Sequence, residues 1–110
     1  MKLERAKIML RNAILHEIDI TSCEGYSGYP SGLDLTSFKD LWAEYCPSVP
    51  MPEGLVDAFL NDDKILEELE KSAVGGWVIL TMSEKGVALD FNVNAFSEWE
   101  KDCIEENLIN

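Results

Sequence analysis

The stretch from Gly76 to Val93 limits what this chain can fold into more than any other. Trp77-Val78-Ile79-Leu80-Thr81-Met82 is a run of aromatic, β-branched and long apolar residues with high strand preference. Ser83-Glu84-Lys85-Gly86 is a turn with a late glycine. Val87, Leu89, Phe91 and Val93 then alternate with Ala88, Asp90 and Asn92. The pattern predicts a β-hairpin over 76–93 with those four apolar residues facing inward. A lone hairpin is marginal in water, so helices must cover one of its faces. The expected fold is therefore α+β, a small single domain over residues 1–110, with about four to five helices packed on the hairpin.

The rest of the chain supplies those helices. Ala6, Met9, Leu10, Ala13 and Ile14 share a face at helical spacing, which predicts a first helix over 3–17, with Ile8 and Leu15 widening its apolar stripe. Glu17-Ile18-Asp19-Ile20-Thr21 alternates with period two, which fits either the end of the first helix or a third short strand at 18–21, with the strand slightly favoured. Residues 22–34, with three glycines, a proline and three serines, are expected to form a loop. A second helix should begin at Asp34 or Thr36 as N-cap and run to Tyr45, burying Leu35, Phe38, Leu41, Trp42 and Tyr45. Pro52 suits the first turn of a third, carrying Leu55, Val56, Phe59 and Leu60. Asn61-Asp62-Asp63 kinks it or caps a new helix, and Ile65, Leu66 and Leu69 continue the apolar side to Ala73. A last helix is expected over 95–108, opened by a Ser97–Glu100 capping box, with Phe96, Trp99, Cys103 and Leu108 inward.

Little in the chain can perform chemistry. His16 is the only histidine, and no serine sits in a nucleophile-elbow glycine pattern. Cys23, Cys46 and Cys103 are odd in number and widely spaced, which argues against a disulfide scaffold or a zinc site and for three buried thiols in a reducing cytoplasm. Met1-Lys2-Leu3-Glu4-Arg5-Ala6-Lys7 lacks the apolar core of a secretory signal. The glycine-rich segment Gly25–Gly32 lacks the Lys-Ser/Thr of a phosphate-binding loop. No calcium-loop spacing is present among the acids. No cofactor and no metal are expected, and the chain is read as non-enzymatic.

Charge is the abnormal feature. The net charge is −12, and it is unevenly spread. Residues 1–11 carry a net +3, from Lys2, Arg5, Lys7 and Arg11 against Glu4. Residues 12–110 carry a net −15, from five bases against twenty acids. Such a body repels nucleic acid and anionic membranes and attracts proteins with a basic surface. The acids cluster at Asp62, Asp63, Glu67, Glu68 and Glu70, and again at Glu98, Glu105 and Glu106. Placed on neighbouring helices, the two clusters would form a ridge of carboxylates that imitates a row of phosphates. Tyr26 and Tyr29, on a glycine-serine frame, have the composition of a contact loop. These ten residues are the expected partner-binding set.

In size, acidity and poverty of catalytic groups the chain resembles, as a class, small phage inhibitors of host defence such as anti-CRISPR and anti-restriction proteins. It equally resembles bacterial immunity proteins that neutralise a nuclease toxin. The resemblance carries no residue correspondences. It implies an inhibitor that binds a nuclease or CRISPR effector through that enzyme's basic face and does not itself bind nucleic acid. The alternative from a different class is an adaptor or assembly subunit, with the first helix or an edge of the hairpin mediating a homodimer or docking.

Overall fold

The longest element is α1, Leu3–Tyr26, whose 24 residues extend about 36 Å. The computed structural model describes residues 2–26 and 33–99. Ala6, Leu10, Ala13, Ile14, Ile18, Thr21 and Gly25 are its buried apolar and small positions. Their spacing of three or four residues is one continuous helical face. The expected strand at 18–21 is thus helix. The Ile18/Ile20 alternation misleads because Ile18 is buried while Ile20 points to solvent, and Thr21 extends the inward stripe from Ile14 and Ile18.

Residues 22–26 of the expected loop also belong to α1, which runs on to Tyr26. Gly25 does not break the helix. A Cβ at that position would lie 2.2 Å from a ring carbon of Phe91, so glycine lets the helix end lie flat on that ring. The third strand is β1, Leu33–Thr36. Leu35 belongs to it and is exposed, rather than buried in a helix.

The next helix, α2, spans Phe38–Tyr45, with Ser37 as N-cap accepting from the Asp40 N–H. Its Trp42 indole donates to the Val49 carbonyl at 2.7 Å and ties down the proline-rich connection. Helix α3, Leu55–Leu60, follows. Asp62 then caps α4, Asp63–Gly75, by accepting from the Ile65 N–H. Strands β2, Val78–Ser83, and β3, Gly86–Phe91, form the expected hairpin.

The sheet is antiparallel with order β1-β3-β2. Leu80 pairs with Leu89 and Met82 with Val87 on the face under the helices. β1 pairs with β3 through Leu33↔Leu89 and Thr36↔Val87, with an irregularity between. At Gly86, φ is 143°, and a Cβ would lie 2.0 Å from the Thr36 carbonyl oxygen, so a side chain there would push β1 off the sheet. α1 lies across β3, with α2, α3 and α4 against it. Phe38 and Phe59 meet edge to face at 5.9 Å in the core that Leu10, Ile14, Leu41, Leu55, Leu69 and Val87 complete.

A helix, α5, opens at 93, earlier than expected, and is described as far as 99. Its cap is Asn92, which accepts from the Ala95 N–H at 3.2 Å, in place of the Ser97 box whose Glu100 lies outside the described residues. Val93 sits in the first turn of α5 and is therefore exposed instead of continuing the inward strand face. Phe96 is half-buried and Trp99 is 42% exposed, so the inward face of this helix is narrower than its spacing predicts. Cys103 and Leu108 lie outside the described residues. Phe96 and Trp99 pack with Trp77 at 5.5 and 5.1 Å. Trp77 has a left-handed φ of 57°, held by this stacking and by its carbonyl accepting from the Asn92 N–H at 2.7 Å.

Gly25 gives a prediction with an unusual sign. Glycine to alanine inside a helix normally stabilises by about 1 kcal/mol. Gly25→Ala should instead lower the thermal midpoint, because the methyl meets the Phe91 ring. The double variant Gly25→Ala/Phe91→Leu should recover part of that loss. A stabilising single substitution, read by calorimetry, would contradict the packing.

Candidate functional site

The acidic clusters are the feature the fold must place. α4 buries Ile65, Leu69 and Ala73. On a helix this sets Asp63, Glu67 and Glu70, at i, i+4 and i+7, along one flank of the exposed side, where all three are exposed with Lys64 and Lys71 beside them. They form one outward stripe. From Asp63 to Glu70 the axis rises about 10 Å, or one carboxylate per about 5 Å, against one phosphate per about 3.4 Å along a DNA strand. The stripe is thus somewhat sparser in charge than the strand it would imitate.

Asp62 and Glu68 do not belong to this stripe. The Asp62 carboxylate binds the Lys7 ammonium at 2.8 Å and also caps α4. Lys7 has a second carboxylate, Glu4, at 3.0 Å. Glu68 faces Arg11, at 3.4 Å. Two of the four bases in the N-terminal segment are therefore engaged inside the molecule, joining α1 to α4. Lys7 is 9% exposed, next to Ala6 on the inward side of α1, and its ammonium is paired where it leaves that face.

The electrostatics follow from this geometry. Hydrogen bonds to Asp62 and then Glu4 hold the Lys7 ammonium above the ordinary lysine value, outweighing the opposite effect of burial. The bond from Lys7 and then the Ile65 N–H hold the Asp62 carboxyl below the ordinary carboxylate value. Across α1, the Tyr45 hydroxyl donates to Glu17. Burial first, and that bond second, push the Tyr45 phenol well above its usual value.

The remaining expected residues fall into two groups. Glu98 is exposed on α5. Glu105, Glu106 and Tyr29 lie outside the described residues. Tyr26 ends α1 instead of sitting in a loop. Among the described residues the carboxylate stripe lies on α4, and Glu98 is the described member of the second expected cluster. Cys23 is exposed and Cys46 half-buried, against the expectation of buried thiols, because Thr21 and Gly25 take the inward positions at that end of α1. Cys103 is not among the described residues. His16 is exposed, with its ring edge-on to Tyr45 at 5.7 Å. Among the described residues no three His, Cys, Asp or Glu side chains group as metal ligands. No described helix is long and apolar enough to cross a membrane.

One feature of this region was not foreseen from sequence. A groove of about 730 Å³ runs between α4 and β2, lined by Leu60, Leu66, Leu80 and Met82, with Glu70, Glu84 and Lys85 at its rim. Glu70 thereby belongs both to the carboxylate stripe and to the groove. The half-periodic signal of Leu80 and Met82 in the hairpin contained no hint that their inward face would stay open. No family model, no curated protein and no solved structure matches this chain.

The Lys7–Asp62 pair sets a pH dependence. The folded carboxyl is depressed, so its contribution is present above the unfolded value of 3.8 and is lost as pH falls through the folded value. The folded ammonium is raised, so its contribution is present below 10.5 and is lost as pH rises through the folded value. Asp62→Asn keeps a capping side chain but removes the charge. The thermal midpoint of the parent should fall more steeply than that of Asp62→Asn as pH drops below about 4. Parallel curves would show that the pair contributes nothing.

Proposed function

We propose that this chain is a non-enzymatic, acidic, protein-binding inhibitor whose target is a nucleic-acid-binding enzyme. The observation that carries the reading is the Asp63–Glu67–Glu70 stripe. Three exposed carboxylates stand in register on a well-anchored helix. The carboxylates beside them are neutralised by Lys7 and Arg11. A protein surface built to grip phosphates offers lysines and arginines at comparable spacing. Complementary fields of this kind speed association and discriminate against wrong partners.

In this reading the inhibitor occupies the enzyme's nucleic-acid path and performs no reaction. A phage anti-defence protein, such as an anti-CRISPR or anti-restriction protein, and an immunity protein against a nuclease toxin would use the stripe in the same way. They differ only in whose nuclease is bound. Neither version requires the chain to touch nucleic acid, which its net charge of −12 disfavours. The acidic cluster at Glu98, Glu105 and Glu106 is a second proposed contact region.

The test begins with capture of the target from host lysate at low salt. The captured enzyme should release the chain when a duplex oligonucleotide is added in excess. Glu67→Lys/Glu70→Lys should slow association about tenfold while leaving the thermal midpoint nearly unchanged, since both residues are exposed. Binding that ignores the oligonucleotide and the charge reversal alike would refute the reading.

A further inference from the structure

β2 is an outer strand of the sheet formed by the described residues. Half of the N–H and C=O groups of an edge strand point away from its single neighbour. Folded proteins commonly blunt such edges with short strands, bulges, prolines or inward charges. β1 follows that rule: it has four residues, an acid and a broken register. β2 does not. Its six residues, Val78-Ile79-Leu80-Thr81-Met82-Ser83, contain no charge and no proline, and they pair in unbroken register with β3. Among the described residues no strand pairs its other side.

The layer beneath that edge is also unfinished. Val87 and Leu89 of β3 are fully buried, at 0% and 3% exposure. Their cross-strand partners Met82 and Leu80 face the same helices yet stay half-exposed. They open into the groove shared with Leu60 and Leu66. A strand added beside β2 would satisfy the free backbone groups and drop alternate side chains against this apolar floor.

We propose that the outer edge of β2, with the groove beneath it, is a strand-addition site for an extended segment of a partner protein in which apolar and basic residues alternate. Charge complementarity selects this occupant. The rim carries Glu70 and Glu84 against Lys85, on a chain of net charge −12. A second copy would bring another −12 to the same edge, so self-pairing through β2 is opposed. An acidic segment is opposed for the same reason, whereas apolar residues fill the floor and basic ones meet the rim. The site rests on the chain being a protein binder, and not on its target being a nucleic-acid enzyme.

The probe is a fluorescein-labelled decapeptide of alternating valine and arginine. The control has the same composition with its valines and arginines in two blocks, which keeps the charge and removes the alternation. In about 0.15 M salt the alternating peptide should bind the intact chain about tenfold more tightly than the block peptide. Met82→Lys and Glu70→Lys should each weaken it about fivefold, and both positions are open enough to accept lysine. Alternate amides of β2 should gain protection from hydrogen exchange when the peptide is present. Equal affinity for the two peptides, or protection that appears elsewhere and not in β2, would overturn the proposal. So would a chain that sediments alone as a dimer with β2 already protected. Any of these results leaves the oligonucleotide competition of the α4 stripe intact, so the two readings fail separately.

Discussion

An ammonium group held between two carboxylates at the α1–α4 contact organises much of this molecule. Lys7 adjoins the apolar face of α1 at 9% exposure, and its ammonium is met by both carboxylates at the margin of that face. Asp62 meets it at 2.8 Å and also caps α4. One side chain therefore starts one helix and aligns it against another. Arg11 and Glu68 repeat the contact four residues further along α1 and six residues past the Asp62 cap. With these two attachments and the apolar stripe from Ala6 to Gly25, α1 becomes the element that α2, α3, α4 and the sheet all touch.

This arrangement sorts the charges of the chain. The acids that face α1 are paired, while Asp63, Glu67 and Glu70 face outward on α4. The basic segment at the N-terminus is thus no free arm: half of its bases serve the fold. The same placement leaves a second consequence at the other flank of α4. Glu70 looks over a groove whose floor is apolar and whose wall is β2, an outer strand among the described residues. Negative charge around that edge does the work that lysines or prolines do in other sheets, opposing self-association while leaving a basic partner free to approach.

The hairpin and the Asp62 cap were legible from residues alone. Strict alternation in Val87–Phe91 and the β-rich run before it have no competing helical reading, and an acid before an apolar helix face has few other uses. The caps of α2 and α5 were not legible: Ser37 and Asn92 stand where Asp34 or Thr36 and Ser97 were expected. The end of α1 was not legible. Ile18 and Ile20 fit a strand as well as a helix, and Gly25 reads as a loop residue until the Phe91 ring is placed against it. Leu35 likewise fits the spacing of α2, but Ser37 captures the helix start and leaves it in β1. For the site, the outward position of Asp63, Glu67 and Glu70 follows from the periodicity of α4. The engagement of Asp62 and Glu68 depends on contacts 55 and 57 residues away in sequence, which no local pattern encodes.

The central claim is that the sorted carboxylates of α4 steer this chain onto a basic protein surface. Its most direct measurement is the association rate with the captured target as salt rises from about 0.05 to 0.5 M. The account predicts that the association rate falls steadily with salt while dissociation changes little. The dependence should flatten when Glu67 and Glu70 are replaced by glutamine. An association rate indifferent to salt, in the parent chain and the glutamine variant alike, would contradict it.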